Sequence, residues 1–355
     1  MNHQRRRFLT GLGAAGAAAI VPFDSAQGML AVRGGPQAGG QGPRPAAPHR
    51  IDVHAHFSSP GFIAAIKARN TGQVALMTWT PAKTIEDMDR DGVATSIVST
   101  SEPGVWFGDN EAARRLAREC NEYGAKLMAD HPGRFGVFAT LPLPDVDGAL
   151  REIEYALDTL KADGVCFMSS YQGKYLGDPM LAPVMQELNR RKTVAYTHPF
   201  RAECCVNLLP NGRALGITLS TETTVTIASI LFSGTAARFP DIRFIWSHGG
   251  GTMPYITGRF GVNADTKSPE LPNGVLYEIQ KMYYDTAQAF NEYSLPTFTK
   301  LVPLPHMLFG TDYPFARGET VAQGLAKFGF SPAAQRAIER DNALDLFPRL
   351  RNVRL

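Results

Sequence analysis

A chain of 355 residues that is 44% hydrophobic and 19% charged can bury a large core, and it is long enough for an α/β barrel of about 250 residues plus extensions. Its formal charge of +3 is unevenly placed: residues 1–50 hold six arginines against one acid, Asp24, a net +5, and the other 30 basic and 32 acidic residues sum to −2. The basic balance belongs to the N-terminal segment, and no aromatic-basic interleaving follows it, which excludes a nucleic-acid surface; beyond that segment no apolar run reaches the roughly 20 residues of a membrane span.

At the N-terminus, Arg5-Arg6-Arg7-Phe8-Leu9-Thr10 precedes a Gly/Ala-rich apolar stretch running to Phe23. Residues 1–30 resemble a bacterial twin-arginine export signal, which implies a periplasmic or otherwise exported protein that folds, and loads any cofactor, before crossing the membrane. From Asp24 to His49 the composition turns to Gly, Pro, Ala and Gln, and residues 31–48 read as a flexible tether. Residues 49–355 remain for one folded unit. The four cysteines, Cys120, Cys166, Cys204 and Cys205, lack C-x-x-C spacing and read as structural thiols.

From residue 50 onward, β-branched runs alternate with helical segments. The predicted strands are Arg50–His54, Thr95–Ser99, Phe135–Thr140, Gly164–Met168, Thr193–Thr197, Arg243–Ser247, Met282–Asp285 and His306–Gly310. Amphipathic stretches at Asn110–Asp130, Val146–Ala162, Met180–Arg191 and Thr223–Phe239 lie between them. In the second of these, Leu150, Ile153, Leu157 and Leu160 keep the spacing of one buried face. Eight strands with intervening helices predict a (β/α)8 TIM barrel, and no Gly-x-Gly-x-x-Gly follows the first strand to suggest a dinucleotide fold.

Barrel chemistry sits at the C-terminal ends of the strands. There the sequence places His54 and His56, two residues apart and therefore on one face, then His198, His248 and Asp312. His54, His56, His198 and Asp312 make a three-nitrogen, one-oxygen set for one divalent metal, zinc first, manganese or iron otherwise. A second ion would want a bridging ligand, commonly a carbamylated lysine on strand four. That strand, Gly164-Val165-Cys166-Phe167-Met168-Ser169, offers none, and Lys174 lies five residues further on in a loop. His248 is then free to take or deliver a proton, and Gly249-Gly250-Gly251 behind it lets the backbone pass close to a ligand. Of the other histidines, His3 is in the leader, His49 in the tether, His131 at a helix end, and His306 at the opposite rim.

These motifs resemble the amidohydrolase superfamily, and within it the branch typified by aminocarboxymuconate semialdehyde, γ-resorcylate and 6-methylsalicylate decarboxylases. The residues that carry the likeness are Asp52-Val53-His54-Ala55-His56, Thr197-His198-Pro199, Ser247-His248-Gly249-Gly250-Gly251 and Gly310-Thr311-Asp312-Tyr313-Pro314-Phe315, within residues 50 to 347. The resemblance implies a mononuclear site with His248 as the catalytic histidine, and loss of CO2 from an aromatic or unsaturated carboxylic acid after His248 or a protonated Asp312 delivers a proton. It also implies a homodimer in which Arg259, eleven residues after His248, reaches the neighbouring site. Between the first two strands only Lys67, Arg69 and Lys83 are basic, and none matches the branch's substrate arginine, so carboxylate recognition falls to Arg201 or Arg259. Ser101, Trp106, Phe107 and Tyr171 are candidates for an aromatic-lined substrate pocket. Competing expectations are a metal-dependent hydrolase of a lactone, ester or amide on the same site, a hydratase, and a non-catalytic solute-binding barrel.

Overall fold

The computed structural model describes residues 48–201, 204–205, 209–210, 214–261 and 267–352. The proposed export signal and all but the last residue of the tether lie outside the described residues. Eight parallel strands form one sheet in chain order: β1 (Arg50–His56), β2 (Val93–Ser99), β3 (Phe135–Thr140), β4 (Gly164–Met168), β5 (Val194–His198), β6 (Arg243–Trp246), β7 (Tyr283–Asp285) and β8 (Met307–Leu308). The ring closes from the end of β8 back to β1, where Val53 N–H donates to Phe309 O at 3.0 Å and His56 N–H to Tyr313 O at 2.7 Å. This is the expected barrel.

Nearly every strand residue is buried, as a parallel sheet covered on both faces requires. Inside the barrel Ile51, Val53, Ile97, Phe138, Cys166, Tyr196, Ile245 and Leu308 pack together, with Phe138 stacked on Tyr196 at 5.1 Å. Ala343, Leu346, Phe347 and Leu350 of the C-terminal segment join that cluster. Asn342 anchors the segment by donating to Leu304 O and Met307 O, so it sits at the N-terminal ends of the strands and leaves the other end for chemistry.

Several boundaries differ from expectation for identifiable reasons. β8 is two residues long, and Leu304–His306 before it is a 3₁₀ turn, because Pro303 and Pro305 withhold the N–H groups a ladder needs. The helix expected at Thr223–Phe239 is two, Leu215–Phe232 and Thr235–Arg238, parted by Gly234 at φ +74°. Leu215–Phe232 is long and apolar enough to cross a membrane by length and composition, which the sequence reading overlooked. Its buried face, however, carries Thr218, Glu222, Thr223, Thr224 and Thr226 against the barrel. The stretch from Val146 is α-helical to Glu154 and a π turn from Tyr155 to Thr159. Its buried residues are Gly148, Ala149, Glu152, Ile153 and Ala156, while Leu150, Leu157 and Leu160 are half-buried beside them. His131 caps the helix Asn110–Asp130 as expected, and Cys120 and Cys166 are buried free thiols, burial pushing the Cys166 thiol up to about 12.

Candidate metal centre

The site begins with an irregularity in β1. Asp52 pairs with Ser96 and Ala55 with Val98, so β1 spends three residues where β2 spends two. This bulge shifts the phase of the strand: Ile51 and Val53 belong to the interior cluster, and after the bulge it is His54 and His56 that point inward at the rim. Asp52 makes the bulge tolerable. Its Oδ1 accepts the His54 N–H at 2.9 Å and the Thr311 N–H at 3.0 Å, and its Oδ2 accepts the Thr311 hydroxyl at 2.6 Å. Burial pushes the Asp52 carboxyl up to about 7, against the pull of these donors.

His54, His56, His198 and Asp312 converge at the ends of β1 and β5 and just beyond β8. One ligand atom from each lies within 4.8 Å of every other, and all four residues are buried. His54 Nε2 and His56 Nε2 stand 3.2 and 3.3 Å from Asp312 Oδ1, the former without hydrogen-bond alignment. Each ring's second nitrogen is held from behind: His54 Nδ1 donates to Asp285 Oδ2 at 2.9 Å, and His56 Nδ1 is hydrogen-bonded to Ser99 Oγ at 3.3 Å. That arrangement fixes tautomer and aim as metal-bound histidines require.

The cluster fits a cation on two further counts. His54 Nε2 and His198 Nδ1 are buried without hydrogen-bond partners, a cost of about 1–3 kcal/mol each if nothing else occupies their lone pairs. Burial resists charging His54, yet Asp285 and Asp312 outweigh it and lift the ring to about 10, so the pocket as built attracts positive charge. His198, surrounded by other histidines and buried, is instead held well below its ordinary value and keeps its lone pairs free. Burial alone would raise the Asp312 carboxyl, but the neighbouring charge of His54 and hydrogen bonds from His248 and His56 hold it well below the usual range. Asp312 is therefore an ionised ligand, which disfavours the expectation that it delivers a proton.

His248 follows β6 in a left-handed conformation, φ +53°, its N–H donating to Asp285 Oδ1 at 3.0 Å. Its Nε2 lies 3.2 Å from Asp312 Oδ2, the oxygen turned away from His54 and His56. The glycines behind it are required by packing. A Cβ on Gly249 would stand 2.7 Å from Ala289 Cβ, and one on Gly251 2.3 Å from Ser220 O, both at positive φ.

Arg201 donates to Glu102 Oε2 at 3.0 Å, so its charge is already partnered. Arg259 is exposed on the turn Thr257–Phe260. Trp106 Nε1 is spent on Asn110 Oδ1, and Phe107 lies under Arg69, lining a surface groove of about 300 Å³ with Ala65, Leu116 and Glu119. Tyr171 packs on the barrel interior and its hydroxyl accepts the Met168 N–H at 2.9 Å. The aromatic rings that meet the cluster include Tyr196, 5.4 Å from His54, and Phe315, 5.7 Å from His56. Lys174 pairs with Asp178 at 3.3 Å, consistent with a single metal. His49 and His306 are structural, held to Glu339 and to Gln280 O. Asp285, the last residue of β7, was missed as a site residue.

A parallel barrel with three histidines and one carboxylate on its C-terminal rim defines the class of barrel proteins built around one divalent ion. Within that class the chain belongs to the amidohydrolase family, whose model matches residues 51–349. Decarboxylase yanB of Aspergillus niger is 35% identical over 84% of this chain and 88% of its own. The 6-methylsalicylic acid decarboxylase acuB of Aspergillus aculeatus is 35% identical over 85% and 97%. Among solved structures, a dihydroxybenzoic acid decarboxylase from Polaromonas sp. JS666 with bound manganese and 2-nitroresorcinol superposes with a TM-score of 0.73. It is 23% identical and covers 86% of this chain and 98% of its own, a likeness of fold.

Proposed function

We propose that this chain is a metal-dependent carboxy-lyase that removes CO2 from a small aromatic acid, a benzoic acid with an oxygen ortho to the carboxylate. The observation that carries the reading is the position of His248: its Nε2 lies 3.2 Å from Oδ2 of Asp312, beside the cluster rather than in it. The names of the relatives support the reaction class.

His54, His56, His198 and Asp312 would hold the ion, zinc or manganese, with the manganese-bearing structural relative supporting the latter. When bound, that ion supplies the positive charge that holds the substrate carboxylate and draws electron density from the ring. His248 keeps its proton on Nε2 because Asp312 Oδ2 accepts it there, and delivers it to the ring carbon that bears the carboxylate. The C–C bond then breaks, its electron pair restores the ring, and CO2 leaves. Asp285, holding the His54 ring and the His248 main chain with one carboxylate, keeps ligand and acid in fixed relation. We further propose a homodimer, with Arg259 turned toward the second copy, and export directed by residues 1–30. Light scattering tests the first and cell fractionation of the full chain the second.

The test is elemental analysis of the purified protein together with CO2 release from 6-methylsalicylic and 2,6-dihydroxybenzoic acids. One equivalent of metal and stoichiometric CO2 are expected. Two equivalents, with hydrolysis of a lactone, ester or amide and no CO2, would replace the reading with the hydrolase.

A further inference from the structure

Two of the three metal-site histidines are aimed by a partner on the ring's second nitrogen: Asp285 for His54 and Ser99 for His56. His198 is different. Neither of its ring nitrogens has a hydrogen-bond partner among the described residues, and Nδ1 is fully buried. Apart from edge-on packing against His56 and His54, 4.6 and 5.6 Å away, the aim of its ring comes through its main chain, and that main chain is handicapped, because the next residue is Pro199 and has no N–H to donate.

The geometry points to Ser169 as the positioning residue for His198, with Glu222 holding Ser169 in place. This inference rests on the metal-centre reading of His198. Ser169 directly follows β4, the strand paired with β5. Its N–H donates to His198 O at 2.9 Å, and its Oγ accepts the Phe200 N–H at 2.8 Å. One buried serine thus grips the peptide group on each side of Pro199. To accept from Phe200 the hydroxyl must send its own proton elsewhere, and it donates to Glu222 Oε1 at 3.2 Å.

Glu222 is a buried carboxylate on the helix Leu215–Phe232, and the partners shown for it are hydroxyls. Ser170 Oγ donates to Oε1 at 2.7 Å and Tyr175 Oη to Oε2 at 3.1 Å, besides Ser169. Thr226 Oγ1, one turn on, donates to Ser169 O at 3.2 Å and to Glu222 O at 2.8 Å. Burying a carboxylate against neutral donors is costly, and an apolar side chain on this helix face would pack without that cost. What the carboxylate achieves is directional: it accepts from the hydroxyl that must itself accept from Phe200.

The same helix supports the other side of the site. Thr224 Oγ1 accepts the Thr252 N–H at 2.9 Å, just beyond the glycines that follow His248. One helix therefore braces the chain behind both His198 and His248, and in each case it does so through a side-chain oxygen.

The test uses the full chain as purified, stripped of metal and titrated with Mn2+ alone, and separately Zn2+ alone, against a chromogenic chelator. Circular dichroism and thermal unfolding establish that each variant is folded. Ser169→Ala, which removes the acceptor for Phe200, should weaken metal binding about tenfold. Ser169→Thr, which keeps the hydroxyl, should stay within about twofold of the parent, and Glu222→Gln, which retains one carbonyl acceptor, should lose about threefold. If Ser169→Ala does not fold, Ser169→Cys, close in size with a weak acceptor, is measured in its place. Unchanged affinity in a folded Ser169→Ala or Ser169→Cys overturns the inference, and unchanged affinity in Glu222→Gln removes Glu222 from it. A parent chain that binds neither ion would instead overturn the metal-centre reading, so the two failures are separable.

Discussion

At the residue scale the site separates into groups that hold the ion and a group that moves a proton, and substitution should separate them too. His248→Asn removes the proton donor and leaves the four ligand residues, His54, His56, His198 and Asp312, unsubstituted. Decarboxylation should fall by about 10²–10⁴-fold while metal content stays near that of the parent. Asp312→Asn removes charge from the ligand set and should lose both activity and metal. Parent-like turnover in His248→Asn would remove His248 from the chemistry. Asp285→Asn belongs between them: it disturbs the partner of His54 Nδ1 and the acceptor for the His248 N–H together. A loss of about 10–100-fold in metal affinity is expected, read by the same chelator titration. The histidines were legible because a two-residue spacing names one face of a strand whatever its register. Asp285 was not, because a lone aspartate at a strand end equally suits a helix cap or a turn, and only the folded barrel shows two partners converging on it. The bulge that turns His54 inward is likewise invisible in the sequence, since its sign is a register shift against β2.

At the element scale the eight-strand pattern was readable because fully buried parallel strands are near-continuous apolar runs. The shortest, β8, was overdrawn because Met307, Leu308 and Phe309 look like a strand while Pro303 and Pro305 limit where one can start. The start of β1 is clamped by Glu339, which accepts from His49 Nε2 at 2.7 Å and Gln335 Nε2 at 3.0 Å and forms an ion pair with Arg50, whose Nε lies 3.1 Å away. Burial alone would raise the Glu339 carboxyl, but Gln335, Arg50 and His49 together hold it below its ordinary 4.5. A carboxyl lowered in the folded chain stabilises above its unfolded value, and that stability is lost as pH falls through the folded one. Glu339→Gln should therefore cost about 1 kcal/mol at neutral pH, and the gap to the parent in urea unfolding should narrow steadily below pH 4.5. A gap independent of pH would mean that the clamp acts by packing and not by charge.

At the scale of the whole molecule, the C-terminal rim is where loops from β1, β5, β6, β7 and β8 all end in groups turned toward one point. Their mutual repulsion and desolvation are a debt that a bound ion settles. Four imidazoles, those of His54, His56, His198 and His248, and two carboxylates, Asp285 and Asp312, crowd the end of the barrel, and His54 Nε2 and His198 Nδ1 have no hydrogen-bond partner there. The ion binds the folded chain and finds no such cluster in the unfolded one, so occupancy is folding free energy. At a free metal concentration a hundredfold above its dissociation constant the gain is about 2.7 kcal/mol. For a chain of this size that is a rise of several degrees in midpoint, at about 2–4 °C per kcal/mol. Thermal unfolding after dialysis against a chelator should therefore show a lower midpoint, restored by Mn2+ or Zn2+ and not by Mg2+, which prefers an all-oxygen shell. The same shift should vanish in Asp312→Asn and persist in His248→Asn, because only the former belongs to the ligand set. A midpoint indifferent to chelator and metal would mean that the rim is held together by its own hydrogen bonds. In that case Asp285 and Asp312 balance the histidines by drawing a proton onto His54, and the barrel needs no ion to complete it.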